Sequence, residues 1–168
     1  MTVTQAFLAE FENEAKTTRR VLERVPADKL TWKPHAKSMS LGHLAMHVAT
    51  IPGVICGWAN EDVTEFGARQ PDPTSTEEIV AAHDKGVAAV RQILTSLSDD
   101  DVRKNWQGKP KGAPTAIMTF PKIDLLRMLA LNHTYHHRGQ LSVYLRLLDV
   151  PVPSIYGPSA DENPFAKA

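Results

Sequence analysis

The amino-acid sequence predicts an all-α fold, an antiparallel four-helix bundle with long connectors. Four stretches of the 168-residue chain place apolar residues at steps of three and four, which is the period of an amphipathic helix. No stretch alternates polar and apolar residues over the length of a strand, so little sheet is expected. Four such helices in a chain of single-domain length pack together as a bundle, and we expect residues 1–168 to form one domain.

The first two helices are predicted over residues 4–25 and 38–58. Pro26 follows the first helix and ends it, because proline cannot continue a helix. A serine at the start of the second helix can accept hydrogen bonds from its free backbone N–H groups. Pro52 and Gly53 interrupt the second apolar pattern, so we expect a kink or an early end there.

The third helix is predicted to run from a cap at residues 74–76 to residue 97, and the fourth over residues 121–148. Pro121 suits the first turn of the fourth helix, where a backbone N–H has no partner in any case. After that helix, residues 150–168 form a proline-rich tail that is expected to be irregular. The connectors are predicted as loops or turns over residues 60–76, 98–102 and 109–114.

The charge balance and the cysteine content exclude several classes of protein. The chain has 19 basic and 19 acidic residues, whereas domains that hold nucleic acid by bulk electrostatics are strongly basic. Cys56 is the single cysteine, so an internal disulfide is excluded and we expect a buried, inert thiol. The N-terminus has no signal-peptide pattern, and no apolar run reaches the roughly 18 residues of a membrane span. These features predict a soluble cytoplasmic protein that binds neither nucleic acid nor membranes.

Seven histidines stand out in this composition, and two of them lie one turn apart on the fourth helix. His133 and His137 fall near the centre of its apolar stripe, where buried polar rings need partners. Hydrogen-bonding neighbours or a metal ion would satisfy them, and two histidines at this spacing recur as a pair of nitrogen ligands. On the second helix, His47 lies at the edge of the apolar stripe, whereas His43 lies roughly 40° further towards solvent. His47 is therefore the third candidate ligand, and three histidines leave an open coordination position, as in catalytic sites.

The neighbours of the histidine pair are candidates for positioning a substrate or transferring a proton. Gln140 and Tyr144 continue the row of the pair along the helix, and His136 is offset from it. Of the remaining histidines, His83 is expected to be a core residue satisfied by a neighbour, and His35 to be exposed. The opposite face of the fourth helix is expected to be polar, and it holds Asp124, Arg127, Thr134, Arg138 and Ser142.

Four segments, in their order along the chain, resemble the DinB-like superfamily. The turn at residues 32–34 is similar to its first connector, and residues 38–47 resemble its second-helix signature. Residues 132–141 resemble its fourth-helix motif, in which a histidine, three residues and a second histidine precede Arg-Gly-Gln. Residues 150–158 resemble the exit segment of many members. The superfamily shares its name with a translesion DNA polymerase, which this sequence does not resemble.

The resemblance implies a four-helix bundle, commonly a homodimer, that binds a divalent metal through three histidines. Transferred to this sequence, the ligands are His47, His133 and His137, and zinc and nickel are both suited to imidazole. Characterised relatives include thiol-dependent enzymes, so we expect a metal-dependent S-transferase that joins a low-molecular-weight thiol to a small electrophile. A metal-dependent hydrolase and a non-catalytic, stress-associated metal-binding module are the alternatives.

Overall fold

The computed structural model describes residues 1–67 and 70–166, and the protein is mostly helical. The four predicted helices are confirmed, with bounds that differ by a few residues from the sequence pattern. Helix α5 comprises three consecutive segments, Lys122–Asp124, Leu125–Asn132 and His133–Leu147, of which the middle one is π-helical. The other helices are α1 (Val3–Leu22), α2 (Leu41–Trp58), α3 (Thr76–Ser96) and the short α4 (Asp99–Arg103), with a 3₁₀ turn at Ala27–Lys29.

A small three-stranded sheet accompanies the helices, so a strictly all-α bundle is not confirmed. Its strands are β1 (Val63–Phe66), β2 (Asn105–Pro110) and β3 (Met118–Pro121). The central strand β2 pairs in parallel with β1 and antiparallel with β3. Strand β1 lies inside the predicted loop at residues 60–76. Strands this short show too few alternations to be recognised from the sequence.

Serine side chains cap the starts of α2, α3 and α4. Ser40 accepts a hydrogen bond from the backbone N–H three residues later at 3.2 Å, and Ser75 does the same for α3 at 3.1 Å. Ser98 begins a capping box, which makes the predicted turn at residues 98–102 a short helix, α4. Pro52 lies inside α2, which continues to its end at residue 58. Of the two expected effects, the early end therefore does not occur, and the kink stays a prediction.

Helix α5 is buried on two sides, because it contacts α2 on one side and α1 on another. Thr134 and Arg138, which the sequence pattern places on the polar face, are only 3% and 1% exposed. Arg138 donates to the carboxylate of Glu14 at 2.7 Å and to the hydroxyl of Thr18 at 3.0 Å, both on α1. A buried charge is tolerated when it is paired in this way. The prediction of a polar face is therefore wrong for Thr134 and Arg138. An apolar stripe identifies one buried face of a helix, whereas α5 is buried on two sides.

Helix α2 lies at the centre of the packing, in contact with α1, α3 and α5. A Cβ added at Gly53 would lie 2.9 Å from the Cα of Gly86, so α2 and α3 approach more closely there than a side chain permits. By length and composition, α2 is also apolar enough to cross a membrane. Most of the helix is buried against its neighbours, however, and core helices commonly meet the same test.

The segment after α5 is irregular, as predicted, with no helix or strand between residues 150 and 166. It is held against the helices by two ion pairs, Arg146 with Asp161 and Arg20 with Glu162. The tail therefore packs on the bundle although it lacks secondary structure. Residues 167–168 of the predicted tail lie outside the described residues.

We expect Gly53→Ala to destabilise the protein by about 1–3 kcal/mol, the usual cost of overpacking, because the new methyl group pushes α2 and α3 apart. Gly57→Ala on the same helix is the control, since nothing lies within 4 Å of its added Cβ. Alanine is favoured over glycine in a helix by up to about 1 kcal/mol, so this variant should be neutral or stabilised. Urea unfolding measures both variants. Equal stabilities would contradict the close helix approach.

Candidate metal centre

Three histidines from two helices meet where α2 and α5 pack together. His47 comes from α2, and His133 and His137 come from the last segment of α5. A ligand nitrogen of each ring lies within 4.8 Å of the other two. The ring centroids are 4.6 to 5.3 Å apart. The structure thus brings together the three residues that the sequence spacing and the resemblance indicate as ligands.

The hydrogen bonds around this three-histidine group suit a cation. Nε2 of His137 faces Nε2 of His133 at 2.8 Å, while Nδ1 of His137 donates to Oε1 of Gln140 at 2.8 Å. Because Nδ1 of His137 carries the proton, its Nε2 directs a lone pair into the group. At this distance the two Nε2 atoms either share a proton in a hydrogen bond or direct both lone pairs at a cation. The donor set fits a divalent metal ion such as zinc or nickel, for which imidazole is a common ligand.

The three imidazoles are neutral at pH 7. Burial, followed by the nearby rings of His137 and His133, lowers the pKa of His47 to about 4. Burial is also the main cause that lowers the pKa of His133 and of His137, opposed by the Leu129 carbonyl and the Gln140 side chain respectively. Neutral imidazole is the form that binds metals, so the ligands are available at physiological pH.

The π-helical segment of α5 leads directly into His133. The backbone N–H of His133 donates to the carbonyl of Met128, five residues earlier, instead of the α-helical partner four residues earlier. A π turn contains more residues than an α turn, so it changes the rotation between the residues before and after it. Such segments are rare and occur often at functional sites. No feature of the apolar pattern indicates this one.

The three candidates for positioning or proton transfer lie in different places. Gln140 contacts the three-histidine group through its hydrogen bond to His137 and therefore positions that ring. The ring of His136 is 4.8 Å from that of His137, but its side chain is exposed. Tyr144 packs edge-on against Trp32 at 5.6 Å and does not line the cavity that adjoins the group. Catalytic roles for His136 and Tyr144 stay predictions.

The other histidines and the cysteine follow the sequence analysis in most respects. His83 is buried and hydrogen-bonded to the carboxylate of the next residue at 3.3 Å, and His35 is exposed, as predicted. Cys56 is buried, as predicted, and burial raises the pKa of its thiol to about 12, which favours an inert thiol. His43 is half-buried, and its Nδ1 lies 2.9 Å from Oδ1 of Asp72. This pair joins residues far apart in the chain, and no local pattern predicts it.

A cavity of about 350 Å³ adjoins the three-histidine group, with His47 and His133 in its wall. Most of the remaining wall is apolar and comes from α2 and β1. A mostly apolar cavity with a few polar groups is typical of small-molecule sites. The sequence analysis does not identify it, because part of the wall belongs to a segment predicted as a loop. The large apolar lining residues are Met46, Ile51, Val54, Ile55, Trp58 and Phe66.

A comparison of the sequence with models of protein families identifies the family of this chain. The model described as the DinB family matches residues 1–164. The chain belongs to the DinB family. DinB proteins are known for metal binding, and in this member three histidines lie close together. The resemblance found in the sequence motifs is therefore confirmed.

Two proteins of Bacillus subtilis are similar to this DinB member in sequence. The uncharacterized protein YrdA is 29% identical over 163 residues, which are 93% of this chain and 89% of YrdA. The uncharacterized protein YjoA is 24% identical over 142 residues, which are 83% of this chain and 86% of YjoA.

Solved structures of DinB-like proteins are similar to it in fold. The crystal structure of a DinB-like protein from Bacillus cereus has a TM-score of 0.73 at 24% identity, covering 92% of this chain and 98% of that one. The crystal structure of YjoA from Bacillus subtilis has a TM-score of 0.70 at 20% identity, covering 89% and 96%. At these identities the solved structures establish the fold of this DinB protein.

We expect the substitution Gln140→Leu to remove the hydrogen bond that orients the ring of His137. Leucine has a similar size but no acceptor, so the Nδ1–H of His137 loses its partner and the tautomer is no longer set. Nuclear magnetic resonance of the ring nitrogens should show mixed tautomers, and zinc affinity should fall about 10–100-fold. Gln92→Leu, at an exposed position of α3, is the matched control. An unchanged tautomer and zinc affinity in Gln140→Leu would contradict the positioning role.

Proposed function

We propose that this protein is a divalent-metal-dependent enzyme that transfers a low-molecular-weight thiol to a small electrophile. The observation that carries the proposal is the convergence of three neutral imidazoles beside a mostly apolar cavity. Membership of the DinB family supports it, because the family is known for metal binding. His47, His133 and His137 are the proposed ligands, and zinc or nickel is the proposed metal.

The number of ligands favours an enzyme over a closed structural site. Among residues 1–67 and 70–166, the group that could hold the ion has three members, and neither His43 nor His136 joins it. Three protein ligands leave a position for an exchangeable molecule, which is characteristic of catalytic zinc sites. Because His47 and His133 line the cavity, a small molecule within it lies beside the group.

Residues around the three-histidine group favour the formation of a nucleophile at this site. Bound in this group, a divalent cation lowers the pKa of a thiol or water molecule that it contacts, and so supplies a nucleophile at neutral pH. Gln140 holds the His137 ring so that Nε2 points into the group. The apolar side chains of the cavity exclude water from the electrophile. Cys56 is buried with a raised thiol pKa, so the thiol that reacts enters as a substrate.

The proposed transfer is a nucleophilic substitution at carbon. The thiol sulfur gives an electron pair to the electrophilic carbon and forms a carbon–sulfur bond. The bond from that carbon to its leaving group breaks, and the leaving group departs with the electron pair. The thiol proton passes to solvent. No oxidant or reductant is needed.

A metal-dependent hydrolase is the second candidate, and the pair of His43 and Asp72 favours it. His43 lines the cavity, and its Nδ1 is 2.9 Å from Oδ1 of Asp72. An imidazole held by a carboxylate through one nitrogen presents the other as a proton acceptor. In a hydrolysis, this nitrogen would take the proton of the attacking water.

We expect the protein purified without added metal to carry about one divalent ion per chain, because three imidazoles suffice for a catalytic site. The double variant His133→Ala/His137→Ala lacks two of the three ligands and should carry none. Elemental analysis by mass spectrometry measures both proteins.

His35→Ala is the matched control for metal content, since it removes an exposed imidazole outside the group and should leave the metal in place. Circular dichroism shows whether each variant is folded. A wild-type protein that stays free of metal, even after reconstitution with zinc and with nickel, would exclude both candidate functions.

In the cobalt-substituted protein, we expect low-molecular-weight thiols to change the visible absorption spectrum, since a thiol at the open position adds a sulfur ligand. Cysteine and glutathione are suitable probes, and serine, with a hydroxyl in place of the thiol, is the control for cysteine. A panel of thiols that all leave the spectrum unchanged would count against the transferase and leave the hydrolase. A spectrum insensitive to every added ligand would favour the non-catalytic metal-binding module.

A further inference from the structure

The cavity beside the three-histidine group is apolar over most of its wall. Ile51, Val54 and Ile55 line it from α2, and Trp58 and Phe66 add two aromatic rings. None of the lining residues that the structure describes is Asp, Glu, Lys or Arg. The polar lining residues are His43, His47, Thr50, Gln70 and His133.

The aromatic part of this wall is supported by the sheet. Trp58 stacks on Trp106, with ring centroids 5.7 Å apart and planes 5° from parallel. Trp106 is fully buried, and its Nε1–H donates to the hydroxyl of Thr64 on β1 at 3.0 Å. A Cβ at position 108 would overlap the ring of Trp106, so Gly108 makes room for it. A wall whose rings are held in place in this way is preorganised for a flat apolar ligand.

A second cleft shares His43 with the cavity, and unlike the described part of the cavity wall it has charged residues in its lining. It is lined by Thr31, Lys33, Ser40 and Asp72, so it carries charges of both signs. The charges of Lys33 and Asp72 lie outside the cavity wall, because neither residue lines the cavity. The cavity offers such a group no ion pair among its described residues, and burying an unpaired charge there is costly.

We propose that the electrophile accepted at this site is a compact molecule with an apolar, planar body of one or two fused rings. This inference rests on the proposed function, because it names the class of compound that receives the thiol. The planar body lies along Trp58 and the α2 side chains, with the electrophilic carbon beside His47 and His133. The cavity of about 350 Å³ is at the small end of the range for small-molecule sites, so one or two rings fill it.

Hydroxamates test this class, because each combines a metal-binding head with a chosen tail. Zinc-loaded protein is titrated calorimetrically with acetohydroxamate, benzohydroxamate and 2-naphthohydroxamate. Each buried methylene-sized unit adds about fourfold in affinity, so the naphthyl compound should bind at least about tenfold tighter than acetohydroxamate. Succinate monohydroxamate, whose tail is charged, should bind no tighter than acetohydroxamate.

Val54→Asn is the variant that tests the apolar wall. Val54 is 42% exposed, so a polar replacement leaves the core intact. The variant should reduce the gain from the naphthyl tail at least about threefold and leave acetohydroxamate affinity unchanged. Val143→Asn is the matched control, since Val143 is 57% exposed on α5 and does not line the cavity. Thermal unfolding shows that both variants are folded.

The outcomes distinguish this proposal from the proposed function. If the protein holds zinc and binds acetohydroxamate, but larger tails add nothing or Val54→Asn has no effect, the apolar acceptor is wrong and the metal-dependent function stands. If the protein holds no metal, the proposed function fails, and the matching carboxamides, which lack a metal-binding head, test the cavity alone. Quenching of tryptophan fluorescence by 2-naphthamide, with an affinity at least about threefold weaker in Val54→Asn, would sustain the apolar ligand class. Absence of quenching would overturn it.

Discussion

Three neutral imidazoles held against one another between α2 and α5 are the constraint on which the rest of the structure depends. Polar rings that are buried or half-buried need partners, and Nε2 of His137 has Nε2 of His133 within hydrogen-bond distance at 2.8 Å. The hydrogen bond from Nδ1 of His137 to Gln140 holds the ring in this orientation, so the two Nε2 atoms stay close together. Apolar side chains at these positions would give a more stable core. The arrangement is therefore one that could hold a cation, and it is a polar group at a place where apolar side chains would pack more simply.

Both helices that carry these rings are held from their other sides. On α5, Arg138 follows His137 and forms a buried ion pair with Glu14 of α1 at 2.7 Å. Removing one partner of such a pair costs about 3–5 kcal/mol, so rotation of α5 is strongly opposed. On α2, Gly53 contacts Gly86 of α3 at a distance that leaves no room for a side chain. The ligand nitrogens therefore stay together because each helix is fixed by a neighbour that takes no part in the site.

The sheet and the long connectors also serve the site. A bundle with minimal loops would leave the α2 face beside the histidines open to solvent. Here β1 contributes Phe66 to the cavity wall, and β2 contributes Trp106, on which Trp58 of α2 stacks. The short strands hold these aromatic rings over one end of α2. The connectors thus convert an exposed helix face into a cavity with an apolar, rigid wall.

A structural feature can be predicted from the sequence when its pattern of polar and apolar residues repeats several times along the chain. The apolar period repeats over 18 to 21 residues in α1, α2 and α3 and over 15 residues in the last segment of α5. The helices and the shared face of His133 and His137 are therefore predicted correctly. Strands of four to six residues repeat too little to be recognised. The burial of Arg138 and the stacking of Trp58 on Trp106 depend on partners in distant segments, which no local period encodes. The three-histidine group can therefore be predicted from one sequence because two of its members share a helix. The cavity cannot be predicted in this way, because its walls meet only in the folded chain.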